Sequence, residues 1–540
     1  MSALGKGVTA ASISMLLKKH GYKVTPIKCE NNLNVDFGTI NPIEHGDPFL
    51  CYDGLESDVD LGNYERFLEQ EVGRLNFMTM GQLYLQVIQN ERQMKYDGED
   101  VEPIPDIVNE ITRRYIEAAD KTDADFVVIE LGGTVGEYEN NNGLYYEAAR
   151  RMAYKYDIAH VHVTYVPVPP HIHEPKTKPA QMGIKELVSM GIYPDFIVVR
   201  SELAVDEQRK YKFSHKFHIE PDHIISNENL SHVHEVPIHL HEQELDLKIL
   251  DHFKMRKKRN IDISSWKNYL DKLSSTKKRK VRIAIVGKYF ATGDSQMVDS
   301  YYALVNAIEH ASVSNDVQPD LVFVNAELKR GKMHEELKDV DGIVVPIGWG
   351  ARGAEGKIEA VKYARENKIP YLGLCYGMQL ASVEFARNVA KLKNANSIEI
   401  DSKTPYKIIH EIPFDPKYQI IKGDGCSMRL GTYDCILKKG TLAYSIYEKY
   451  NKFKKGEKGV VQERHRHRYE FNNTYREKLE KSGLIISGTS PDNFFVEFIE
   501  LPKVVHPFFI ATQGHPEYKS RPLDPHPVFI EFIKASTKHR

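Results

Sequence analysis

Residues 371–390 read YLGLCYGMQLASVEFARNVA, and this stretch decides the fold. Tyr371–Leu374 is a short apolar run of the kind that forms a buried strand, and the residues after Gly377 repeat apolar side chains at helical spacing. Between strand and helix stands Cys375, flanked by Gly373 and Gly377. A side chain at a glycine-flanked strand-to-helix turn sits on a nucleophile elbow, where the glycines permit a tight, strained turn that exposes it. The N-terminus of the following helix favours the ionised sulfur. A nucleophilic thiol needs a base, and the base needs an orienting group. His515-Pro516-Glu517 follows the apolar run PFFIATQG (507–514) and offers both. Cys375, His515 and Glu517 are the candidate catalytic residues.

Working outward, the runs VRIAIVGKY (281–289), DLVFVNA (320–326) and DGIVVPIG (341–348) supply further strands for the same domain. The first half of the chain alternates in the same way. VTAASISMLLKKH (8–20) places Val8, Ala11, Met15 and Leu16 on one helical face, and Gly21 stands where a helix C-cap belongs. YKVTPIK (22–28), DFVVIELGG (125–133) and the stretches around 160–168 and 196–200 read as strands. Near-continuous Val/Ile runs separated by helices predict parallel sheets buried on both faces. Residues 252–280 are charged and poor in apolar runs, a helical linker whose basic clusters read as a solvated face. The expected architecture is α/β with two doubly wound domains: residues 1–255, a linker over 256–280, and residues 281–540.

Composition limits what such a chain does. Its 540 residues call for at least two domains. Hydrophobic residues make up 41% and charged residues 27%, the balance of a folded globular protein. The net charge of -2, from 73 basic and 75 acidic residues, argues against a dedicated nucleic-acid binder. No apolar run approaches the length of a membrane span, and no apolar core follows Met1–Gly7 as a signal peptide requires. Cys29, Cys51, Cys375, Cys426 and Cys435 are sparse, scattered and odd in number, which points to a reducing, cytoplasmic setting and not to a disulfide framework.

The trio around Cys375 resembles the triad of class I glutamine amidotransferases, in which the cysteine attacks the glutamine side-chain amide, ammonia leaves, and water releases glutamate from a thioester. Longer motifs narrow the resemblance to CTP synthases. Glu463–Asn473 (ERHRHRYEFNN) is similar to their glutamine-site signature, and Asn394–Glu399 (NANSIE) and Ser427–Gly431 (SMRLG) resemble two further segments. In the N-terminal half, Asn34–Thr39, Glu44–Gly46, Asp58–Phe67, Glu130–Gly136 and Lys176–Gln181 resemble the synthetase domain of the same family. The resemblance covers nearly the whole chain. It implies a P-loop-like synthetase domain followed by an amidotransferase domain.

By position, the resemblance assigns Arg468 to the glutamine α-carboxylate, a pairing suited to a guanidinium. Glu399 faces the α-ammonium, and Gly348 and Gln379 complete the glutamine site. It assigns Lys6, Lys28, Asp60 and Arg200 to ATP, and Asp60 with Glu130 to Mg²⁺, whose octahedral shell phosphate oxygens would complete. Lys176, Thr177, Lys178, Gln181 and Lys212 fall on positions for the UTP triphosphate, Glu137 and Glu139 on the CTP feedback site. Activation by GTP, a homotetramer with UTP sites shared between subunits, possible filaments, and a shielded path for ammonia are implied in the same way. The reaction implied is phosphorylation of the uracil 4-oxygen by ATP, then displacement of phosphate by ammonia.

Four departures bear on that assignment. Gly5-Lys6-Gly7 opens a helix, as suits phosphate binding, but lacks the strand and early glycines of a full phosphate loop, so the first, central strand of the family pattern is expected to be missing. Lys28–Asn34 and Val101–Asp106 differ from the family pattern near the expected nucleotide sites. Pro346-Ile-Gly-Trp-Gly350 stands where the family has Pro-Gly-Gly-Phe-Gly. The first of those glycines helps form the oxyanion hole, and Ile347 would disfavour a positive-φ backbone there. Loss of one oxyanion donor costs on the order of a hundredfold in rate. Two alternatives follow: an ammonia-only synthase, and a catalytically silent paralogue that regulates or forms filaments.

Overall fold

Each apolar run singled out above folds as a strand, with helices between them; the helices Lys6–Lys19 and Tyr376–Asn388 are buried on nearly every side, so the single apolar face expected over 8–20 is not what holds the first of them. The computed structural model describes residues 4–41, 46–136, 142–275, 278–292, 295–296, 298–328, 331–413 and 427–539. Contacts divide the chain into two compact units, Met1–Phe37 with Asp60–Leu270, and Gly38–Val59 with Asp271–Arg540. Residues 38–59 thus pack with the C-terminal half, although they lie early in the chain.

In the first unit, helix α1 (Lys6–Lys19) precedes strand β1 (Val24–Glu30). Gly21, at φ 99°, takes the left-handed conformation that ends α1, as its position predicts. Then come α2 (Val59–Leu68), β2 (Phe77–Thr79), β3 (Phe126–Leu131), β4 (Val161–Tyr165), α3 (Lys178–Ser189), β5 (Phe196–Ser201), α4 (Glu207–Phe217) and β6 (Ile224–Glu228). The strands form two parallel ladders, β2-β1-β3 and β4-β5-β6. Among the described residues β3 and β4 are each bonded on one side only. Both contribute to the same apolar cluster, through Phe126 and Val128 and through Val161 and Val163, with Leu16 and Leu17 of α1. The two ladders thus share one apolar face without being hydrogen-bonded to each other among the described residues. Ile27 and Cys29 of β1 point the other way, into a second cluster with Met78, Leu83 and Ile111. Alternation along the strand fills both faces.

The second unit is built on a nine-stranded sheet. Its strands are β7 (Lys280–Gly287), β8 (Gln318–Asn325), β9 (Gly342–Val345), β10 (Tyr371–Leu374), β11 (Arg429–Leu437), β12 (Val460–His467), β13 (Ile485–Thr489), β14 (Val496–Glu500) and β15 (Phe509–Thr512). The order is β8-β7-β9-β10-β15-β14-β13-β11-β12, parallel through β15 and antiparallel beyond. Helices α5 (Ala354–Asn367) and α6 (Tyr376–Asn388) cover one face with Ala284, Val286 and Val345. Ile283, Ile285, Val344 and Leu374 fill the other. The elbow residue Cys375 lies at the C-terminal end of central strand β10, where open α/β sheets carry their ligands. The linker reading over 252–280 is part helix, Ser264–Leu273, whose Trp266 is fully buried against Phe67 and His234. No described helix is long and apolar enough to cross a membrane.

Candidate active sites

Cys375 ends β10 and caps α6 with φ 52° and ψ -101°, a left-handed conformation rare for a side chain larger than glycine. The strain is fixed from both sides: Cys375 N donates to Thr512 O at 2.8 Å, and its carbonyl accepts from Met378 N and Gln379 N. The flanking glycines serve a different purpose from the one the sequence suggests. Neither has positive φ. A Cβ on Gly377 would stand 2.0 Å from Val345 O, and one on Gly373 would stand 2.8 Å from Ala511 Cβ and Tyr371 Oη. They let strand and helix approach closely, while the cysteine itself carries the unusual backbone.

His515 and Glu517 follow β15, next to β10 in the sheet. His515 Nδ1 lies 2.7 Å from Glu517 Oε1, and both side chains are buried. His515 Nε2 is buried, makes no hydrogen bond of full geometry and faces the Cys375 sulfur closely enough to interact with it. Burial alone would lower the imidazole pKa, but the charges of Glu517 and Cys375 and hydrogen bonding to both outweigh it and raise it to about 10. Cys375 Sγ donates to Arg466 O at 3.7 Å and accepts from Gln513 Nε2 at 3.4 Å.

The candidate glutamine residues gather around this cysteine. Glu399 Oε1 accepts the Gly350 N–H at 2.6 Å; burial raises its pKa, while the Gly350 bond, Lys288 and Arg468 oppose that shift. Arg468 is therefore near enough to feel the Glu399 charge. Gln379 donates to Tyr469 O at 2.9 Å and to Gln513 Oε1 at 3.2 Å. Gly348 has no room for a side chain: a Cβ would meet Lys288 Cε at 2.9 Å and Lys357 Nζ at 3.2 Å. Ile347 meets no backbone strain. Its φ is not positive, it is 2% exposed, and it packs in the apolar cluster that contains Cys375 and Leu374. The branched side chain points into the core, so no backbone strain attaches to it.

Several neighbours escaped the sequence reading. The hairpin Phe49–Leu50/Glu56–Ser57 docks beside the triad. Arg466, buried, contacts Glu56 Oε1 at 2.5 Å and Asp47 Oδ1 at 3.3 Å, and Asp47 Oδ2 accepts from Tyr518 Oη at 2.8 Å. Such long-range docking leaves no periodic trace in a sequence. Lys357 was findable: it shares the apolar face of α5 with Ala354, Ile358, Val361 and Ala364, an anomalous place for a lysine.

In the first unit, Lys28 at the end of β1 stands opposite Glu130 of β3. Its Nζ lies 2.6 Å from Asp60 Oδ2, 2.8 Å from Glu130 Oε1 and 3.3 Å from Glu30 Oε1. Tyr64 Oη donates to Glu130 Oε2 at 2.5 Å. Burial raises the Glu130 pKa, Lys28 lowers it, and Asp60 raises it again. Asp60 and Glu130, the two carboxylates nearest the Lys28 ammonium, are hard oxygen donors of the kind that fits Mg²⁺. No three His, Cys, Asp or Glu side chains among the described residues are placed to hold a metal ion together, so phosphate and water oxygens would fill the remaining positions. Lys6 is the first residue of α1 after Gly5, at φ 84°. Gly7 leaves space for Asp60, since a Cβ there would lie 2.0 Å from Asp60 Oδ1. Arg200 Nη1 donates to Asn227 O at 2.6 Å and Glu228 O at 2.8 Å, and its Nε is 3.7 Å from where a Gly5 Cβ would be.

The candidate UTP residues cluster only in part. Thr177 caps α3, Lys178 opens it, and Gln181 Nε2 donates to Thr177 Oγ1 at 3.2 Å while Gln181 Oε1 accepts from Lys216 of α4 at 3.0 Å. Lys176 pairs with Glu174 at 2.7 Å. Lys212 lies on α4. Glu137 and Glu139 lie outside the described residues.

Comparison with known proteins agrees with both halves. The family model described as CTP synthase N-terminus matches residues 1–255, and that described as glutamine amidotransferase class-I matches residues 296–535. The CTP synthase of Geobacillus kaustophilus is 43% identical over 542 residues, covering 100% of this chain and 98% of that protein. The CTP synthase of Caldanaerobacter subterraneus subsp. tengcongensis is 44% identical over 539 residues, covering 99% of this chain and 96% of its own. A solved structure of the glutaminase domain of Trypanosoma brucei CTPS with bound acivicin is 36% identical, covering 48% of this chain and 94% of that one, with a TM-score of 0.42. On the full-length matches, the chain belongs to the CTP synthase family.

Proposed function

We propose that this chain aminates UTP to CTP at the expense of ATP, with ammonia released from glutamine. The observation that carries the reading is the built elbow: Cys375 at φ 52° beside an imidazole that Glu517 orients. In the glutaminase half, the Cys375 sulfur adds to the glutamine side-chain carbonyl carbon. The C–N bond breaks, His515 Nε2 gives its proton to the departing nitrogen, and ammonia leaves a thioester. Water then adds as His515 takes its proton, and glutamate departs as the C–S bond breaks. Arg468 pairs with the substrate α-carboxylate and Glu399 with its α-ammonium; Gly348 and Gln379 line the same site.

In the synthetase half, Lys6 and Lys28 hold ATP phosphates, Arg200 belongs to the same ATP site, and the uracil 4-oxygen takes the γ-phosphoryl group. Ammonia then displaces phosphate. Asp60 and Glu130 would hold Mg²⁺, which when bound offsets charge on the transferring phosphoryl group. Lys176, Thr177, Lys178, Gln181 and Lys212 hold the UTP triphosphate, and Glu137 and Glu139 belong to CTP feedback. GTP is the activator, the assembly is a homotetramer that can extend into filaments, and the setting is the cytoplasm. Residues 1–255 and 281–540 are the functional domains, joined by 256–280. The ordinary backbone of Ile347 supports glutamine use over the ammonia-only alternative.

The test is CTP formation from UTP, ATP and Mg²⁺ with nitrogen supplied as glutamine or as ammonium. Product from both is expected. Product from ammonium alone would move the assignment to an ammonia-only synthase, and product from neither, with folded protein, would leave the silent paralogue.

A further inference from the structure

The loop Pro346–Gly350 runs past the elbow with its carbonyls held by two lysines. Lys357 of α5 reaches through the core: its side chain is fully buried, and Nζ donates to Pro346 O at 2.8 Å and to Ile347 O at 3.1 Å. Lys288 donates to Trp349 O, to Gly350 O at 3.3 Å and to Arg352 O at 3.2 Å. The glycine at 348 is what lets both lysines approach.

A trans peptide is planar, with its C=O and N–H on opposite sides. An ammonium that fixes the Pro346 carbonyl therefore fixes the direction of the Ile347 N–H, and one that fixes the Ile347 carbonyl fixes the Gly348 N–H. Both N–H groups point away from Lys357, and neither has a hydrogen-bond acceptor among the described residues. Buried amides without partners are rare and costly, and an unspent pair beside a nucleophile suits a developing oxyanion. Ile347 shares an apolar cluster with Cys375, and the Gly348 Cβ position lies 3.3 Å from Tyr376 Cδ1, one residue past the nucleophile.

We propose that Lys357 is a positioning residue for glutamine hydrolysis: by holding the Pro346 and Ile347 carbonyls it aims the Ile347 and Gly348 N–H groups at the oxygen that becomes negative when Cys375 adds to substrate. The residue acts through the peptide planes and touches no substrate. Burial and the neighbouring Lys288 push its pKa well down, against the charge of Cys375. A neutral amine still carries two N–H bonds, one for each carbonyl, so the arrangement survives loss of the proton.

The inference rests on the glutaminase reading, and the wild-type chain separates the two: no hydrolysis of glutamine by wild type overturns that reading itself. Given wild-type hydrolysis, Lys357→Met keeps the volume and removes the donors. Its kcat for glutamine hydrolysis is expected to fall by about tenfold or more with KM within about twofold, because the donors act on the transition state. Alkylation of Cys375 by iodoacetamide needs no oxyanion donor and is expected to keep its rate, as is ammonium-dependent CTP formation. A kcat near wild type, or a loss matched by equal changes in KM and alkylation, overturns the proposal. If Lys357→Met fails to fold, Lys357→Arg, which keeps donors for both carbonyls, decides: kcat nearer wild type supports the role, and a full loss in folded protein overturns it.

Discussion

His515 shows how far burial and partners pull against each other at one residue. Its ring is fully buried, which favours the neutral form, yet Glu517 at 2.7 Å and the Cys375 sulfur hold the imidazolium to about pH 10. A folded pKa above the ordinary value of 6.5 stabilises the fold fully below that value, and the contribution disappears as pH rises through about 10. Glu517→Gln removes the largest upward influence. The thermal midpoint of this variant is expected to lie furthest below wild type near pH 6, with the gap closing toward pH 10, while glutamine hydrolysis drops and ammonium-dependent CTP formation stays. A gap that is constant with pH would remove the charge argument and leave only lost packing. The trio itself was legible in the sequence because glycines and a His-x-Glu spacing are local signals. Gln513 was not picked out, because its role depends on where a neighbouring strand falls; Lys357 was missed although its place on an apolar helix face marks it.

At the level of elements, the strands and the elbow could be read because apolar runs and turn residues are written locally, whereas docking is not. The hairpin Phe49–Leu50/Glu56–Ser57 appears in the sequence as part of the first half, yet its Glu56 and the nearby Asp47 neutralise Arg466 on β12, the strand whose carbonyl at 466 meets Cys375 Sγ. Arg466 is 4% exposed and Glu56 1%. Breaking a buried pair by removing one partner leaves an undercompensated charge at a cost of about 3–5 kcal/mol, and Asp47 retains part of the pairing, which favours the lower end. Glu56→Gln is expected to lower the denaturant midpoint of the unfolding transition of the C-terminal unit and to slow glutamine hydrolysis. An unchanged midpoint would mean that Asp47 alone satisfies the guanidinium.

For the whole molecule, two chemistries share one chain, and substitution should separate them. Asp60 and Glu130 converge with Lys28 on one side of the β2-β1-β3 ladder, whereas Cys375, His515 and Glu517 stand at the ends of β10 and β15. Asp60→Asn keeps the shape that Gly7 accommodates but removes one of the two charges available to a divalent cation. Phosphoryl transfer depends almost entirely on positioning and charge compensation. The variant is therefore expected to lose CTP formation from both glutamine and ammonium by about a hundredfold or more, the scale of losing a principal transition-state contact. Its Cys375 should still be alkylated at the wild-type rate. The mirror variant, Cys375→Ser, is expected to lose only the glutamine-driven reaction, because a hydroxyl in the same strained turn is a far weaker nucleophile than a thiolate. If Asp60→Asn instead spared ammonium-driven CTP formation, the cation would have to be held elsewhere, and the carboxylates around Lys28 would revert to an internal salt-bridge cluster.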